Sequence, residues 1–192
     1  MIQYRIATLD DLEQIAQLHI TCFPHTMWEF LGLELVRNFY EEYLRENPLF
    51  VVAADEQQIV GLCMGYKIPS KARSIFMHNN KKRLIKRVLF GLLTFNRLVI
   101  SKCWQNFKPQ KKIEPIKAEG DLLSICVTDA YKGKGIAQQL VQHFEAELKK
   151  QHIADYTLSV YANNHRAIAF YLKQGMQIVA HTTYTQILYK HF

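Results

Sequence analysis

Val127-Thr-Asp-Ala-Tyr-Lys-Gly-Lys-Gly-Ile-Ala137 joins an apolar stretch, Leu122 to Val127, to a segment with helical periodicity in this 192-residue chain. In the second segment, from about Ile136 to Lys150, apolar residues recur at the spacing of one helix face: Leu140, Val141, Phe144 and Leu148. The residues between the two segments are therefore predicted to form the turn from a strand into a helix.

The turn itself combines backbone freedom with positive charge. Gly133 and Gly135 let the backbone fold tightly, so that several N–H groups point toward one place at the start of the helix. A helix N-terminus favours negative charge, and Lys132 and Lys134 add two full positive charges. The segment therefore predicts a site for a phosphate or pyrophosphate group.

Spacing distinguishes the known phosphate-binding loops. A Walker loop needs four residues between its first glycine and Gly-Lys-Ser/Thr, which this segment lacks, and a dinucleotide fingerprint would place its third glycine at Gln138. The pattern that fits is Arg/Gln-x-x-Gly-x-Gly/Ala, with Lys132 in the first place, Gly135 in the fourth and Ala137 in the last. It resembles the coenzyme A loop of the GNAT family of N-acetyltransferases, although a helix can also begin with Gly-Lys-Gly for structural reasons alone.

A second match lies downstream. Thr157 to Tyr161 is typical of a strand and is followed by Asn164-His-Arg-Ala-Ile-Ala-Phe-Tyr171 and then by Gly175-Met176. This arrangement resembles the Asn-x-x-Ala-x-x-x-Tyr helix and the Gly-Phe pair of the same family, with Met176 in place of the usual aromatic residue. Two motifs in the expected order indicate a GNAT-like acetyltransferase.

The resemblance implies a set of contacts with acetyl-CoA, the expected co-substrate. Asn164 would bond to the pantetheine arm, and Ala167 and Phe170 follow it on the same helix, where Phe170 can instead pack against the sheet. In this family the strand before the loop carries a bulge whose N–H groups face the thioester, and that stretch is here Ile125, Cys126 and Val127. The phosphate cradle would consist of Lys132, Gly133, Lys134, Gly135, Ile136 and Ala137.

The implied chemistry is direct transfer of an acetyl group to a primary amine. Tyr171 matches the family's general acid by position and would protonate the departing thiolate. An alkyl amine with a pKa of about 10 must lose a proton before it attacks, and a carboxylate can take that proton. Glu119 and Asp121 are the candidates, and Glu119 is preferred for its reach. Both can equally be exposed residues that flank Gly120 in a loop.

The order of predicted elements agrees with one acetyltransferase domain over residues 1–192. The fold class is α/β (α+β), with a mixed, mostly antiparallel sheet of about six or seven strands flanked by helices. Strands are predicted at residues 2–7, 49–54, 59–67, 122–127, 157–161, 177–181 and 184–190. Helices are predicted around Leu12 to His19, at 33–45, 136–150 and 164–174, and within a basic insertion at 68–118.

Positive charge is concentrated in the insertion. Residues 67–117 contain 14 Lys or Arg residues and one acidic residue, Glu114, whereas the rest of the chain has a net charge of −6. Leu84, Val88 and Leu92 lie at helical spacing, and a returning helix is predicted around Leu98 to Trp104. Three interpretations stay open: a helical hairpin whose charges face water, a surface for an anionic or nucleotide-linked substrate, and a peripheral contact with an anionic membrane. Nucleic acid is the least favoured partner.

The acceptor is not fixed by the fold or by the cofactor motifs. In this family the region from Cys22 to Trp28 borders the acceptor site, and its aromatic residues can shape a pocket. A faint resemblance to acetyltransferases of bacterial surface polysaccharides favours a small amine or an amino sugar. The alternatives are a protein N-terminus or lysine as acceptor, and a non-catalytic, membrane-associated protein that binds acyl-CoA.

Other residue patterns predict few additional features. The four cysteines and eight histidines show no metal-ligand spacing, so neither a metal site nor a disulfide framework is predicted. Cys126 lies in a strand expected to be buried and is not favoured as a nucleophile. We expect a cytoplasmic protein without a signal peptide or a transmembrane segment, because no apolar run approaches about twenty residues. A homodimer is compatible with the sequence.

Overall fold

The computed structural model describes residues 1–46, 49–107 and 116–192, and within them a seven-stranded sheet forms the centre of the molecule. The strands are β1 (Ile2–Ile6), β2 (Phe50–Asp55), β3 (Gln58–Lys67), β4 (Gly120–Val127), β5 (Asp155–Tyr161), β6 (Gln177–His181) and β7 (Thr185–His191). The helices are α1 (Leu12–Cys22), α2 (Met27–Leu31), α3 (Leu33–Glu46), α4 (Ala72–Asn79), α5 (Lys81–Leu93), α6 (Arg97–Phe107), α7 (Ile136–Lys150) and α8 (His165–Lys173).

The strand order in the sheet is β1-β2-β3-β4-β5-β7-β6, and neighbouring strands are antiparallel except for β4 and β5. The parallel pair is short, because it joins residues 120–122 of β4 to residues 156–158 of β5 and then stops. Beyond Leu122 the two strands are no longer paired with each other. The sheet is therefore open between β4 and β5 on the side where β4 leads into the glycine turn.

Two apolar cores lie on opposite faces of the sheet. On one face α1 and α3 pack Ile15, Val36 and Tyr40 against β2, β3 and β4. On the other face α7 packs the predicted stripe, including Leu140 and Phe144, against the same strands and β5. Burial of these apolar side chains is the main stabilising contribution that the sequence pattern predicts.

The basic segment between β3 and β4 begins with helices that are anchored on α3. The carboxylate of Glu46 accepts the N–H groups of Lys71 and Ala72 at the start of α4, and the amide of Asn38 donates to that of Asn80 at 2.9 Å. Phe76 of α4 is buried within the first core. The described part of this segment has three helices, α4 to α6, where the sequence pattern predicted two.

The predicted fold class is confirmed, because the domain is α+β and its mostly antiparallel sheet is flanked by helices on both faces. The short helices α2 and α4 were not predicted, since five and eight residues are too few to display a clear helical period. Among the described residues, no helix combines the length and the apolarity that would let it cross a bilayer.

Candidate active site

A cleft of about 930 Å³ opens where β4 and β5 diverge. Its walls come from four places: the α1–α3 region, α6 of the insertion, the diverging strands with the glycine turn, and α8. The cleft therefore brings together the two motifs that the sequence separates by some thirty positions. It also adds a wall from the N-terminal helices.

The glycine turn ends at the N-terminus of α7. Gly133 and Gly135 have φ angles of +80° and +79°, which L side chains rarely adopt, and a Cβ atom at either position would meet no atom within 4 Å. The first helical bond of α7 joins the N–H of Gln139 to the carbonyl of Gly135 at 3.1 Å. The N–H groups of residues 136–138 therefore have no acceptor within the helix and are available to an anion.

The side chains of the two lysines of the turn lie close to other residues of the turn. The ammonium group of Lys132 pairs with Asp129, and Lys132 lines the cleft. The ammonium group of Lys134 lies 4.6 Å from the ring centroid of Tyr131, whose hydroxyl donates to Asp55 at 2.8 Å. An anion at the start of α7 would thus meet the positive charge of Lys134 in addition to the backbone donors, whereas the charge of Lys132 is paired with Asp129.

Helix α8 contributes the second motif to the cleft. The side-chain oxygen of Asn164 accepts the N–H of Ala167 at 3.1 Å and so caps the helix. Tyr171 lies two turns further along; it lines the cleft and is buried, with its ring 5.2 Å from that of Phe170. Burial raises the pKa of Tyr171 above its ordinary value of 10, so the phenol is protonated at neutral pH and can donate a proton.

Strand β4 presents its backbone to the cleft. A shift of register between Met64 and Gly65 on β3 leaves Leu123 as an extra residue on β4, which is the bulge that the family resemblance implied. The bulge lies two residues before Ile125, at the start of the stretch that was predicted to face the thioester. Residues 122–127 all line the cleft, and none after Leu122 pairs with β5.

The thiol of Cys126 is not suited to attack a thioester. Its interaction with the Cys22 thiol, together with burial, raises the pKa of Cys126 well above its ordinary value. A thiol that stays protonated is a poor nucleophile. The structure therefore agrees with the expectation that Cys126 packs as a small apolar side chain.

A chain of polar side chains crosses from the helices to β4. The Nδ1 atom of His19 on α1 lies 2.6 Å from the hydroxyl of Tyr40 on α3, and that hydroxyl donates to Ser124 Oγ at 3.2 Å. Because the Tyr40 proton goes to Ser124, Nδ1 of His19 donates and Nε2 is left as an acceptor. In the described part of the chain, Nε2 is buried and has no partner, although His19 lines the cleft.

Burial controls the protonation of His19. The ring lies among Phe23, Trp28 and Tyr40, and desolvation lowers the pKa of His19 from 6.5 to about 4. The imidazole is therefore neutral at physiological pH. Sequence periodicity had placed His19 on the buried face of α1, but it gave no indication of the hydrogen bond to Tyr40.

The two predicted carboxylates do not line the cleft. Glu119 accepts the N–H of Ala154 at 2.7 Å where β4 and β5 begin, and it does not line the cleft, although its reach had favoured it as the base. Asp121 accepts the hydroxyl of Thr157 at 3.0 Å, and desolvation raises its pKa from 3.8 to about 6. Neither carboxylate reaches the space between Tyr171 and the N-terminal helices.

The remaining wall is largely aromatic, as expected for the region between the first two helices. Phe23 and Trp28 belong to this wall, and Phe39 of α3 lies 4.5 Å from Trp28 between ring centroids. The sequence gave no indication of two basic residues that also line the cleft, Lys102 on α6 and Arg166 on α8. Within the described residues, no group of three or more His, Cys, Asp or Glu side chains is arranged to hold a metal ion.

Residues 100–176 match the family model of the Acetyltransferase (GNAT) family, and this range contains both cleft motifs. This stretch matches a GNAT acetyltransferase domain. The resemblance drawn from the glycine turn and from Asn164 and Tyr171 is thereby confirmed. A search of curated proteins found no match to the chain.

Solved structures share the fold of this chain over its whole length. A protein from Pyrococcus horikoshii OT3 has a TM-score of 0.67 and 16% sequence identity, and the match covers 100% of this chain and 99% of that one. The PaiA N-acetyltransferase of Thermoplasma acidophilum, in complex with coenzyme A, has a TM-score of 0.65 and 15% identity, with 100% and 99% covered. Arabidopsis thaliana Naa50, in complex with the bisubstrate analogue CoA-Ac-MVNAL, has a TM-score of 0.59 and 17% identity, with 100% and 99% covered.

Proposed function

We propose that this protein is an acetyl-CoA-dependent N-acetyltransferase that acts on the primary amine of a small molecule or an amino sugar. The observation that carries the proposal is the single cleft that the glycine turn, Tyr171 and the His19–Tyr40–Ser124 chain all border. The PaiA and Naa50 structures contain coenzyme A or an analogue of it on the same fold, which supports acetyl-CoA as the co-substrate.

The residues present fit coenzyme A. The open space beside Gly133 and Gly135 and the unpaired N–H groups at the start of α7 suit a pyrophosphate, and the unpaired edge of β4 suits an extended amide-containing arm. When bound, acetyl-CoA supplies a thioester whose acetyl group can pass to an amine. The N–H of Thr128 bonds β3 and the direction alternates along the strand, so the backbone N–H groups of Ile125 and Val127 are available to polarise its carbonyl, a contribution on the order of 3 kcal/mol to the barrier.

Tyr171 acts as the general acid in this proposal. It is protonated at neutral pH because burial raises its pKa, and it lies on the cleft wall formed by α8. A leaving thiolate needs a proton, and a phenol in an apolar setting can provide it. The backbone donors of β4 and the hydroxyl of Tyr171 thus act on the same reacting group from two elements.

His19 takes the place that Glu119 was predicted to hold. His19 lines the cleft, its buried Nε2 atom has no partner among the described residues, and the bond between Nδ1 and Tyr40 fixes the orientation of the ring. The nitrogen of the acceptor becomes a stronger acid as its bond to the acetyl carbon forms, and a neutral imidazole can accept a proton at that point.

The shape of the cleft favours a compact acceptor. Aromatic side chains from α1 to α3 line one side, and Leu98 and Lys102 of α6 line another. An extended peptide would have to pass α6, whereas a small amine or a sugar fits between the aromatic rings. A protein N-terminus is the second candidate, because the shared fold of Naa50 accommodates an analogue that includes the peptide MVNAL.

The test is release of free thiol from acetyl-CoA in the presence of a panel of amino sugars, small alkyl amines and short peptides, with product masses determined. We expect acetylated product with at least one compact amine, and the Tyr171→Phe variant should lower kcat by about 10²-fold to 10⁴-fold with coenzyme A affinity nearly unchanged. Tyr189→Phe is the matched control, because that hydroxyl bonds Asp155 outside the cleft and its loss should leave kcat unaltered.

Other outcomes of this experiment would change the proposal in specific ways. Product with peptides alone would replace the small-molecule acceptor by a protein N-terminus. Coenzyme A binding without thiol release for any acceptor would favour a non-catalytic acyl-CoA-binding protein. Unchanged turnover in Tyr171→Phe would remove Tyr171 as the acid while leaving the enzymatic function in place.

A further inference from the structure

The hairpin of α5 and α6 carries an exposed apolar tip. We define the tip as Leu89, Phe90, Leu92, Leu93 and Phe95 at the end of α5 and in the turn that follows. All five side chains are exposed, and Leu93 and Phe95 retain 79% and 80% of their accessible surface. Soluble domains rarely leave so many large apolar side chains together in water, so a patch of this kind marks an interaction surface.

The tip is not needed to pack the hairpin on the domain. Packing uses the opposite side of α5, where a Cβ atom at Gly91 would come within 2.5 Å of Val99 on α6 and within 2.8 Å of Phe30 on α2. Leu89 and Leu93 each lie two residues from Gly91, which places them about 200° around the helix from that contact. The apolar side chains of the tip therefore point outward because the inward side is already filled.

Basic residues share the outward side of α5 with the tip. Lys82 and Lys86 are exposed and follow the same helical stripe as Leu89 and Leu93, since they lie seven residues before them. The stripe is thus positive in its first half and apolar in its second. This division is typical of a helix that lies in the interface of a membrane, with apolar side chains inserted and lysines near the headgroups.

We infer that the α5–α6 hairpin docks this protein onto an anionic phospholipid surface. Residues 67–117 carry a charge of +13 against −6 for the remainder, so the attraction to anionic headgroups is confined to the region that bears the tip. A bilayer of anionic lipid complements both halves of the stripe. Neither a second copy of the chain nor a nucleic acid complements both.

The competing occupants fail on charge or on position. A second copy of the chain would bring two positive stripes together, and nucleic acid would match the lysines but leave the tip in water. An anionic substrate in the cleft could be met by Lys102 of α6, but it would leave Lys82, Lys86 and the tip in water, because they lie on the side of α5 away from the domain. From the hairpin, it is Leu98 and Lys102 of α6 that line the cleft.

The test is cosedimentation of the full chain with vesicles of phosphatidylcholine alone and of phosphatidylcholine mixed with phosphatidylglycerol, each at low and high salt. We expect binding to the mixed vesicles that weakens as salt rises. The double variant Leu93→Asn, Phe95→Ser should lower the partition coefficient by at least about tenfold at both salt concentrations, because inserted apolar area is lost.

The charge variant Lys82→Glu, Lys86→Glu should abolish the preference for phosphatidylglycerol. Its matched control is Lys149→Glu, Lys173→Glu, which makes the same change in net charge on α7 and α8 and should bind nearly as wild type does. If both charge variants lose binding equally, attraction is a property of net charge and the inference fails. It fails also if the tip variant binds as wild type does, or if wild type shows no binding at low salt.

A measurement on the unaltered chain guards against misfolded variants. Hydrogen exchange in residues 89–95 should slow when mixed vesicles are added, whereas exchange in β6 should not change. Self-association in the absence of vesicles that the tip variant removes would assign the patch to a second copy and overturn the inference. Binding of a nucleic acid duplex that competes with the vesicles, and that survives the tip variant, would do the same.

Discussion

The wall of the cleft formed by β4 and the glycine turn offers mainly backbone groups, whereas the wall formed by α1 to α3 offers side chains. On the first wall the unpaired edge of β4 and the N–H groups at the start of α7 provide the donors. On the second wall His19, Trp28 and Tyr40 provide ring and polar contacts. In the proposed reaction, the backbone donors bind the co-substrate, while these side chains select the acceptor and accept its proton.

The largest expected effect concerns the protonation of two buried side chains, His19 on the side-chain wall and Asp121 at the start of β4. Burial lowers the pKa of His19 to about 4 and raises that of Asp121, on β4, to about 6, from ordinary values of 6.5 and 3.8. Between about pH 4 and 6, unfolded His19 binds more protons than folded His19, so its contribution to stability rises with pH. Folded Asp121 binds more protons than unfolded Asp121, so its contribution falls over the same range.

The two contributions change with pH in opposite directions, so they offset each other in the wild type and become visible when one of the two groups is removed. Relative to wild type, the free energy of unfolding of His19→Asn should fall as pH rises from about 4 to 6, and that of Asp121→Asn should rise, each by on the order of 3 kcal/mol. Urea denaturation at several pH values measures both differences. Parallel stability curves for wild type and either variant would mean that the corresponding group titrates as it does in water.

A smaller effect, on kcat, is expected when side chains of the α1–α3 wall are substituted and the backbone wall is left unchanged. His19→Asn keeps a donor near Tyr40 and removes the Nε2 acceptor, so kcat should fall by about 10²-fold with coenzyme A affinity unchanged. Tyr40→Phe should lower kcat too, and the double variant should lose little more than His19→Asn alone because the two groups act as one chain. Additive losses would show that they act separately.

The smallest expected effect comes from the glycine turn. Gly135 has a φ of +79°, so Gly135→Val strains the backbone by on the order of 1–2 kcal/mol and should weaken coenzyme A binding by about tenfold. Calorimetry of coenzyme A binding measures the loss, and at saturating acetyl-CoA the variant should reach the kcat of the wild type. A lower kcat in the variant would show that the turn also positions reacting groups, and the contrast between the walls would weaken.

The backbone wall could be predicted from the sequence to a greater extent than the side-chain wall. The strand before the turn, α7 and the cap at Asn164 follow from local periodicity, glycine placement and a motif read along a continuous segment. The family resemblance also implied the bulge, which lies at Leu123. These features depend on neighbours in the chain, and a single sequence contains that information.

The side-chain wall could not be predicted because its contacts are long-range. His19 and Tyr40 are 21 residues apart, and Ser124 lies 84 residues beyond Tyr40, so periodicity could place each on a buried face but could not pair them. Glu119 was assigned to the cleft by reach, but it lies just before β4 and bonds the backbone at Ala154 instead. The direction of one side chain at a strand end depends on packing that no local pattern records.

The three-residue pairing of β4 with β5 divides the sheet into a four-stranded and a three-stranded part. Hydrogen bonds across this seam are few, so the two parts are held together mainly by the apolar core that they share with α7. A pantetheine arm that bonds to the free edge of β4 and contacts α8 would connect the two parts of the sheet. Coenzyme A would then stiffen the enzyme as well as supply its substrate, and the empty enzyme would be the more pliable form.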